Sequence, residues 1–148
     1  MKMSKIPTPV QIKADLFDTL PPAARKIRQE VFVDEQGFTE EFDDLDTRSR
    51  HILVSVNGKP AATGCGYPEE DGTWHIGRVA VRKEYRHQGL GTCVMRALET
   101  TARAAAARRI VLGAQDHAVP FYKKLGYTIS SGSFLDQDAL HWHMEKLL

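Results

Sequence analysis

Ile76-Gly77-Arg78-Val79-Ala80-Val81-Arg82-Lys83-Glu84-Tyr85-Arg86-His87-Gln88-Gly89-Leu90-Gly91-Thr92 is the stretch on which the reading of this chain turns. It runs from an apolar strand through a basic, Gly-containing turn. From Gly89 onward Leu90, Val94, Met95, Leu98 and Ala102 recur at 3.6-residue spacing, which predicts an amphipathic helix, and Arg103, Arg108 and Arg109 near its far end suit the helix dipole. Gly89 and Gly91 lack a Cβ, so a ligand can approach the backbone, and the first N–H groups of the helix have no partner within it. A pyrophosphate fits such a place, with Arg82, Lys83, Arg86 and His87 adding charge nearby. Taken alone, a short Gly-x-Gly before a helix is equally well explained as plain turn chemistry.

The strand entering the turn carries a second signal. Trp74 and Ile76 are apolar at even positions, whereas Val79 and Val81 are apolar at odd ones. Side chains alternate faces along a strand, so this phase change predicts a β-bulge near Gly77-Arg78.

Working outward, Val10 to Leu16 reads as a strand, and Pro21 and Pro22 open a helix whose apolar residues Ala24, Ile27, Val31 and Phe32 continue to about Val33. Asp34 to Asp46, with seven acids and no base, reads as a loop, either solvated or forming a lip that attracts a cationic acceptor. His51 to Val56, the turn Asn57-Gly58, Pro60 to Gly66 and Thr73 to Val81 form an antiparallel meander. Ile110 to Leu112 reads as a short buried strand, and His117 to Leu125 as a helix ended by Gly126. Strands follow at Tyr127 to Ile129 and at about His141 to Leu147. The order β-α-β-β-β-α-β-α-β-β describes an α+β sandwich: a mixed, mostly antiparallel sheet of about seven strands with helices on both faces. Residues 1–8 read as a tail and 9–148 as one domain.

Composition narrows the partners. The chain has 148 residues, 42% apolar and 26% charged, with a net charge of +1, so no overall field favours nucleic acid or a membrane. No apolar run of about 18 residues and no secretory leader pattern is present, which points to the cytoplasm. Cys65 and Cys93 read as buried reduced thiols. Neither they nor His51, His75 and His117 have metal-ligand spacing, so no metal is expected. Edge strands leave a homodimer open.

Arg86-x-x-Gly89-x-Gly91, placed after a bulged strand, resembles the acyl-CoA binding motif of the GNAT superfamily of N-acetyltransferases. Leu112 to Tyr127, with its Phe121-Tyr122-Lys123-Lys124-Leu125-Gly126-Tyr127, looks like that family's splayed strand and following helix. Arg28 to Gly37 and Phe134 to Met144 resemble a branch of small bacterial members that includes glyphosate-type N-acetyltransferases. The resemblance implies the GNAT fold and transfer of acetyl from acetyl-CoA to the primary amine of a small acceptor, by direct attack in a ternary complex. It leaves two alternatives, a non-catalytic acyl-CoA sensor and a protein-lysine acetyltransferase.

The resemblance also implies site residues. Val79, Ala80 and Val81 would offer backbone N–H groups beside the splayed strand. Arg86, His87, Gln88, Gly89, Leu90, Gly91 and Thr92 would hold the pyrophosphate, and Gln115 the pantetheine arm. Tyr122 matches the tyrosine that meets the leaving thiolate, and His141 the histidine at the acceptor pocket. At pH 7 only about one aliphatic amine in a thousand is neutral, so attack needs a base, and histidine's ordinary pKa of about 6.5 suits that task. The bland alternative for His141 is a half-exposed residue of the last strand, and for Tyr122 an ordinary helix tyrosine packed beside Phe121. Gln115 could equally be a polar strand-end residue. Arg78 at the bulge either pairs with an acid in the core, the favoured reading, or orients a carboxylate on the acceptor.

Overall fold

The computed structural model describes residues 9–39 and 43–148. The proposed tail at residues 1–8 and Glu40, Glu41 and Phe42 of the acidic run lie outside them. Seven strands, β1 (Ile12–Phe17), β2 (Arg50–Val56), β3 (Lys59–Pro68), β4 (Thr73–Val81), β5 (Arg109–Gln115), β6 (Thr128–Asp136) and β7 (Ala139–Leu147), form one sheet in the order β1-β2-β3-β4-β5-β7-β6. The expected fold is present, the GNAT fold: every pairing is antiparallel except β4 with β5, and helices cover both faces.

Helix α1 (Pro22–Arg28) widens into a π-helical segment, Gln29–Glu35, so the first helix runs somewhat beyond its expected end. Its buried face, Ala24, Ile27, Val31 and Phe32, packs on Leu53 and Ala80. The acidic run thus begins in the π-helical segment, with Asp34 and Glu35, and ends in the short α2 (Leu45–Arg48). Helix α3 (Leu90–Ala104) lies on the opposite face, where Val94, Met95, Leu98 and Ala102 pack against Ile52, Val54, Trp74, Ile76, Ile110 and Leu112. The alternation of Ile52, Leu53 and Val54 between the two clusters is the strand period made visible. Burying one such leucine contributes on the order of 2 kcal/mol.

Helix α4 (Val119–Lys124) follows a 3₁₀ turn at Asp116–Ala118. It ends where Gly126 takes φ +96°, with Tyr127 N–H donating to Tyr122 C=O at 3.1 Å. That is the glycine termination read from sequence. No helix among the described residues is long and apolar enough to cross a membrane.

Candidate active site

The predicted bulge is real. Thr63 pairs with Ala80 and Cys65 with Gly77, so Arg78 and Val79 together oppose the single residue Gly64. Arg78 takes φ +55°, a left-handed conformation that a non-glycine residue holds only where its surroundings impose it. Beyond the bulge Val79 and Val81 join the cluster under α3, while Ala80 joins the one under α1. The parity change seen in the sequence is therefore a change of layer.

The same strand parts from its neighbour. β4 and β5 pair only at Thr73↔Arg109, Trp74↔Ile110 and His75↔Val111, whereas β5 stays paired with β7 through Gln115↔His141. The β5-facing edge of Gly77–Val81 is thus left without a partner strand. A pocket opens in the gap, lined among others by Val79, Gly113, Gln115, Tyr122 and His141.

At the N-terminus of α3, Gly89 takes φ +77° and no heavy atom lies within 4 Å of where its Cβ would stand. Backbone N–H groups are accessible to an anion there, and Lys83, His87 and Gln88 are exposed around the turn. Leu90 is buried, so it could meet a ligand only through its backbone, next to Thr92. Gly91 works differently from the expectation. A Cβ there would come within 3.2 Å of Phe121 Cζ, so its smallness serves the packing of α3 on α4.

The two arginines expected to add charge to the phosphates are engaged elsewhere. Arg82 shares the face of Ala80 and meets Glu30 on the π-helical segment at 3.0 Å. Arg86 donates from Nε to Val81 C=O at 3.1 Å and from Nη2 to Glu35 at 2.8 Å, bracing the turn against the same segment. Arg78 pairs with an acid, as the favoured reading expected, but the partner is the exposed Asp43 at 3.5 Å and not a core acid, and Arg78 also lines the pocket.

His141 and Tyr122, far apart in sequence, line one pocket. His141 is buried, with Nδ1 2.9 Å from Ala139 C=O. A carbonyl only accepts, so Nδ1 carries the hydrogen and the lone pair resides on Nε2. The ring stacks on Phe134 at 5.3 Å and meets the edge of Phe38 at 6.3 Å. His143, exposed two residues on, stacks on the same Phe134 at 4.3 Å. Tyr122 packs edge-on against Phe121 and Tyr127, and burial pushes its phenol up to about 12. Gln115 donates to Gln36 at 2.9 Å. Gln36, Phe38, Asp136 and Gln137 also line the wall. Gln36 and Phe38 lie in the run read from sequence as a solvated loop or a lip. Asp136, the last residue of β6, and Gln137 in the turn after it lie in the Phe134–Met144 block, but no hydrophobic period singles out the four residues themselves.

A second buried group surrounds His51 and Cys65, which face each other across β2 and β3. Their ligand-type atoms and that of Asp46 lie within 4.8 Å of one another, a proximity that separation in sequence concealed. Arg28, 1% exposed, takes both oxygens of Asp46 at 2.7 and 3.2 Å, so the charge is already balanced. Burial raises the Cys65 thiol to about 11 and lowers the His51 pKa, which keeps both neutral near pH 7. We read this group as a structural anchor of α2 on the sheet. Cys65 and Cys93 are free thiols, the first buried and the second partly so.

Residues 14–127 match the model of the acetyltransferase (GNAT) family. An uncharacterised N-acetyltransferase of Bacillus subtilis, YjcF, is 42% identical over 123 residues, which cover 81% of this chain and 87% of that protein. An acyl-CoA N-acyltransferase from Pseudomonas aeruginosa superposes with a TM-score of 0.78 at 26% identity, covering 93% of this chain and 99% of the other. An aminoglycoside 6'-N-acetyltransferase crystallised with coenzyme A shares the fold at a TM-score of 0.72 and 16% identity, covering 91% of this chain and 96% of its own. With a bulged and splayed β4, an open helix start at Gly89 and this match over most of its length, the chain belongs to the acetyltransferase (GNAT) family.

Proposed function

We propose that the chain transfers the acetyl group of acetyl-CoA to the primary amine of a small acceptor, by direct attack in a ternary complex. The observation that carries this reading is the partnerless edge of Gly77–Val81, with His141 and Tyr122 on the walls of the pocket beside it. The open space at Gly89 and the free N–H groups of α3 suit the pyrophosphate, and Gln115 the pantetheine arm. Bound there, acetyl-CoA supplies a thioester carbonyl already activated toward amines.

The chain's own residues do the rest. His141 Nε2 takes the proton that the amine must lose as the new C–N bond forms and the C–S bond breaks. Backbone N–H groups of the Gly77–Val81 edge meet negative charge building on the carbonyl oxygen. Tyr122 acts as a hydrogen-bond donor to the departing sulfur. With its phenol near 12, full proton transfer to a thiolate of ordinary pKa would be uphill by about 5 kcal/mol, so the sulfur takes its proton from water or from His141. Neither free cysteine lines the pocket, which favours direct transfer over a covalent relay.

Small metabolite amines are the preferred acceptors, followed by aminoglycoside-like cations, amino acids and protein lysines. The test is thiol release from acetyl-CoA across a panel of small amines and a lysine peptide. Turnover with a small amine, reduced at least a hundredfold in His141→Ala at pH 7, is the expected result. Binding of acetyl-CoA with no turnover on any amine would leave only a sensor, and turnover on the peptide alone would move the reading to protein lysines.

A further inference from the structure

One short segment touches the cofactor turn, the end of β5, His141 and the turn between β6 and β7. Glu35 holds Arg86 of the cofactor turn at 2.8 Å. Gln36 accepts from Gln115 at the end of β5 at 2.9 Å. Phe38 presents its ring to His141 at 6.3 Å and to Phe32 of the α1 core at 6.5 Å. Thr39 donates from its N–H at 2.7 Å and its hydroxyl at 3.0 Å to the Gln137 side chain, in the turn between β6 and β7. Gln137 and Asp138 both take positive φ, +47° and +65°, so that turn is itself tightly set.

The segment therefore bridges the gap that the splay of β4 from β5 leaves open. Its one end is fixed by an ion pair to the residue bracing the helix start, and its other end by two hydrogen bonds to the turn that leads back to His141. Between the two ends lies the aromatic ring that, opposite Phe134, confines the imidazole. Aromatic edges and faces attract with definite geometry, so displacing Phe38 changes the setting of His141. Two sites are coupled when one physical element responds to both, and here a single run of five residues has contacts at each.

We propose that Glu35–Thr39 is a clasp that links the cofactor turn to His141, with Phe38 as the positioning residue for the imidazole. The inference rests on the reading of the Gly89 turn as the coenzyme A site. An anion arriving at that turn draws on the same guanidinium that Glu35 holds, which pulls on the clasp. The pull reaches His141 through Phe38, while Gln137 keeps the far end in place. Phe38 orients the base and takes no part in proton transfer.

The test uses the full chain, with free coenzyme A as the probe and the His141 ring resonances, identified by their loss in His141→Ala, as the readout. In the wild type, saturating coenzyme A shifts those resonances. In Glu35→Gln coenzyme A still binds, measured by calorimetry, but the His141 shift is lost. Phe38→Leu lowers kcat about tenfold with the KM for acetyl-CoA unchanged, while Phe38→Tyr restores kcat. An undiminished His141 shift in Glu35→Gln, or an unaltered kcat in Phe38→Leu, would overturn the clasp and leave the cofactor site standing. Absence of any coenzyme A binding to the wild type would overturn both.

Discussion

The carboxylate of Glu99 on α3 lies 3.0 Å from the ammonium of Lys146 on β7, with only 1% of its surface exposed. It also accepts the Tyr127 hydroxyl at 2.8 Å. Burial, reinforced by the hydrogen bond to Glu99, holds the Tyr127 phenol well above its ordinary range, so it stays a donor. Arg96, largely exposed, also reaches the Glu99 carboxylate at 3.8 Å, so removing Lys146 leaves the buried carboxylate with a longer, solvent-screened ion pair. Lys146→Met should therefore cost about 2 kcal/mol, and adding Glu99→Gln should recover much of it. Urea unfolding of the two variants checks this; equal stability of the single variant and wild type would show the pair to be inert.

Gly64 leaves room for the side chains of α3 against β3. A Cβ there would lie 2.5 Å from Val94 Cγ1 and 3.1 Å from Leu98 Cδ1, both fully buried. Gly64→Ala is expected to destabilise by about 1–3 kcal/mol through overpacking. Thermal unfolding reads the effect, and Val94→Ala in the same chain should relieve part of it.

His51 makes stability depend on pH. Burial, the largest cause, lowers its pKa in the folded state, so the unfolded chain binds its proton more readily. Its contribution is fully present above the unfolded pKa of about 6.5 and is lost as pH falls below that, with a slope of up to about 1.4 kcal/mol per pH unit. The Tm of the wild type should drop more between pH 7.5 and 5.5 than that of His51→Gln. Parallel Tm curves would place the pH dependence elsewhere.

Gly89 should govern cofactor affinity. Its φ of +77° strains any β-branched replacement, whose side chain would also enter the open space at the helix start. Wild type with acetyl-CoA at about a hundredfold over its Kd should gain about 2.7 kcal/mol, a Tm rise on the order of 5 to 10 °C. Gly89→Val should abolish that rise. A retained rise would mean that the ligand binds somewhere else.

Tyr122 and His141 should differ in how pH reports them. With its phenol near 12, Tyr122 remains a donor across the assay range, so Tyr122→Phe should lower kcat about tenfold by a factor that stays constant from pH 7 to 10. His141→Ala should be most harmful near pH 7 and less so at high pH, where the amine loses its proton unaided. Measured pH-rate profiles separate the two; identical profiles would remove the assignment of distinct roles.

Much of this architecture was legible. The even-to-odd switch between Ile76 and Val79 marked the bulge because β4 is buried on both faces, so every misplaced apolar residue shows. β6 was legible only at its start. It runs on to Asp136 along the sheet edge with both faces largely exposed, and Ser130, Ser131, Gly132 and Ser133 carry no alternation to read. The wall formed by Gln36, Phe38 and Gln137 was illegible for another reason: its contacts span up to 98 residues and depend on side-chain hydrogen bonds, which leave no period in a sequence. Arg82 and Arg86 read as charges near the turn, but no local pattern links them to Glu30 and Glu35, which the π-helical segment after α1 brings to them across about fifty residues of sequence.

Pairing of β4 with β5 over three rungs has a consequence beyond catalysis. Free strand edges invite other chains to add on, which is why proteins usually shorten, charge or cover them. Here an edge is opened in the middle of the sheet, flanked by strands and roofed by α1 and α3. A foreign strand has no lateral route to it, whereas the slender thioester arm proposed above would. The fold thus keeps an open row of hydrogen-bond donors without presenting it as a seed for aggregation.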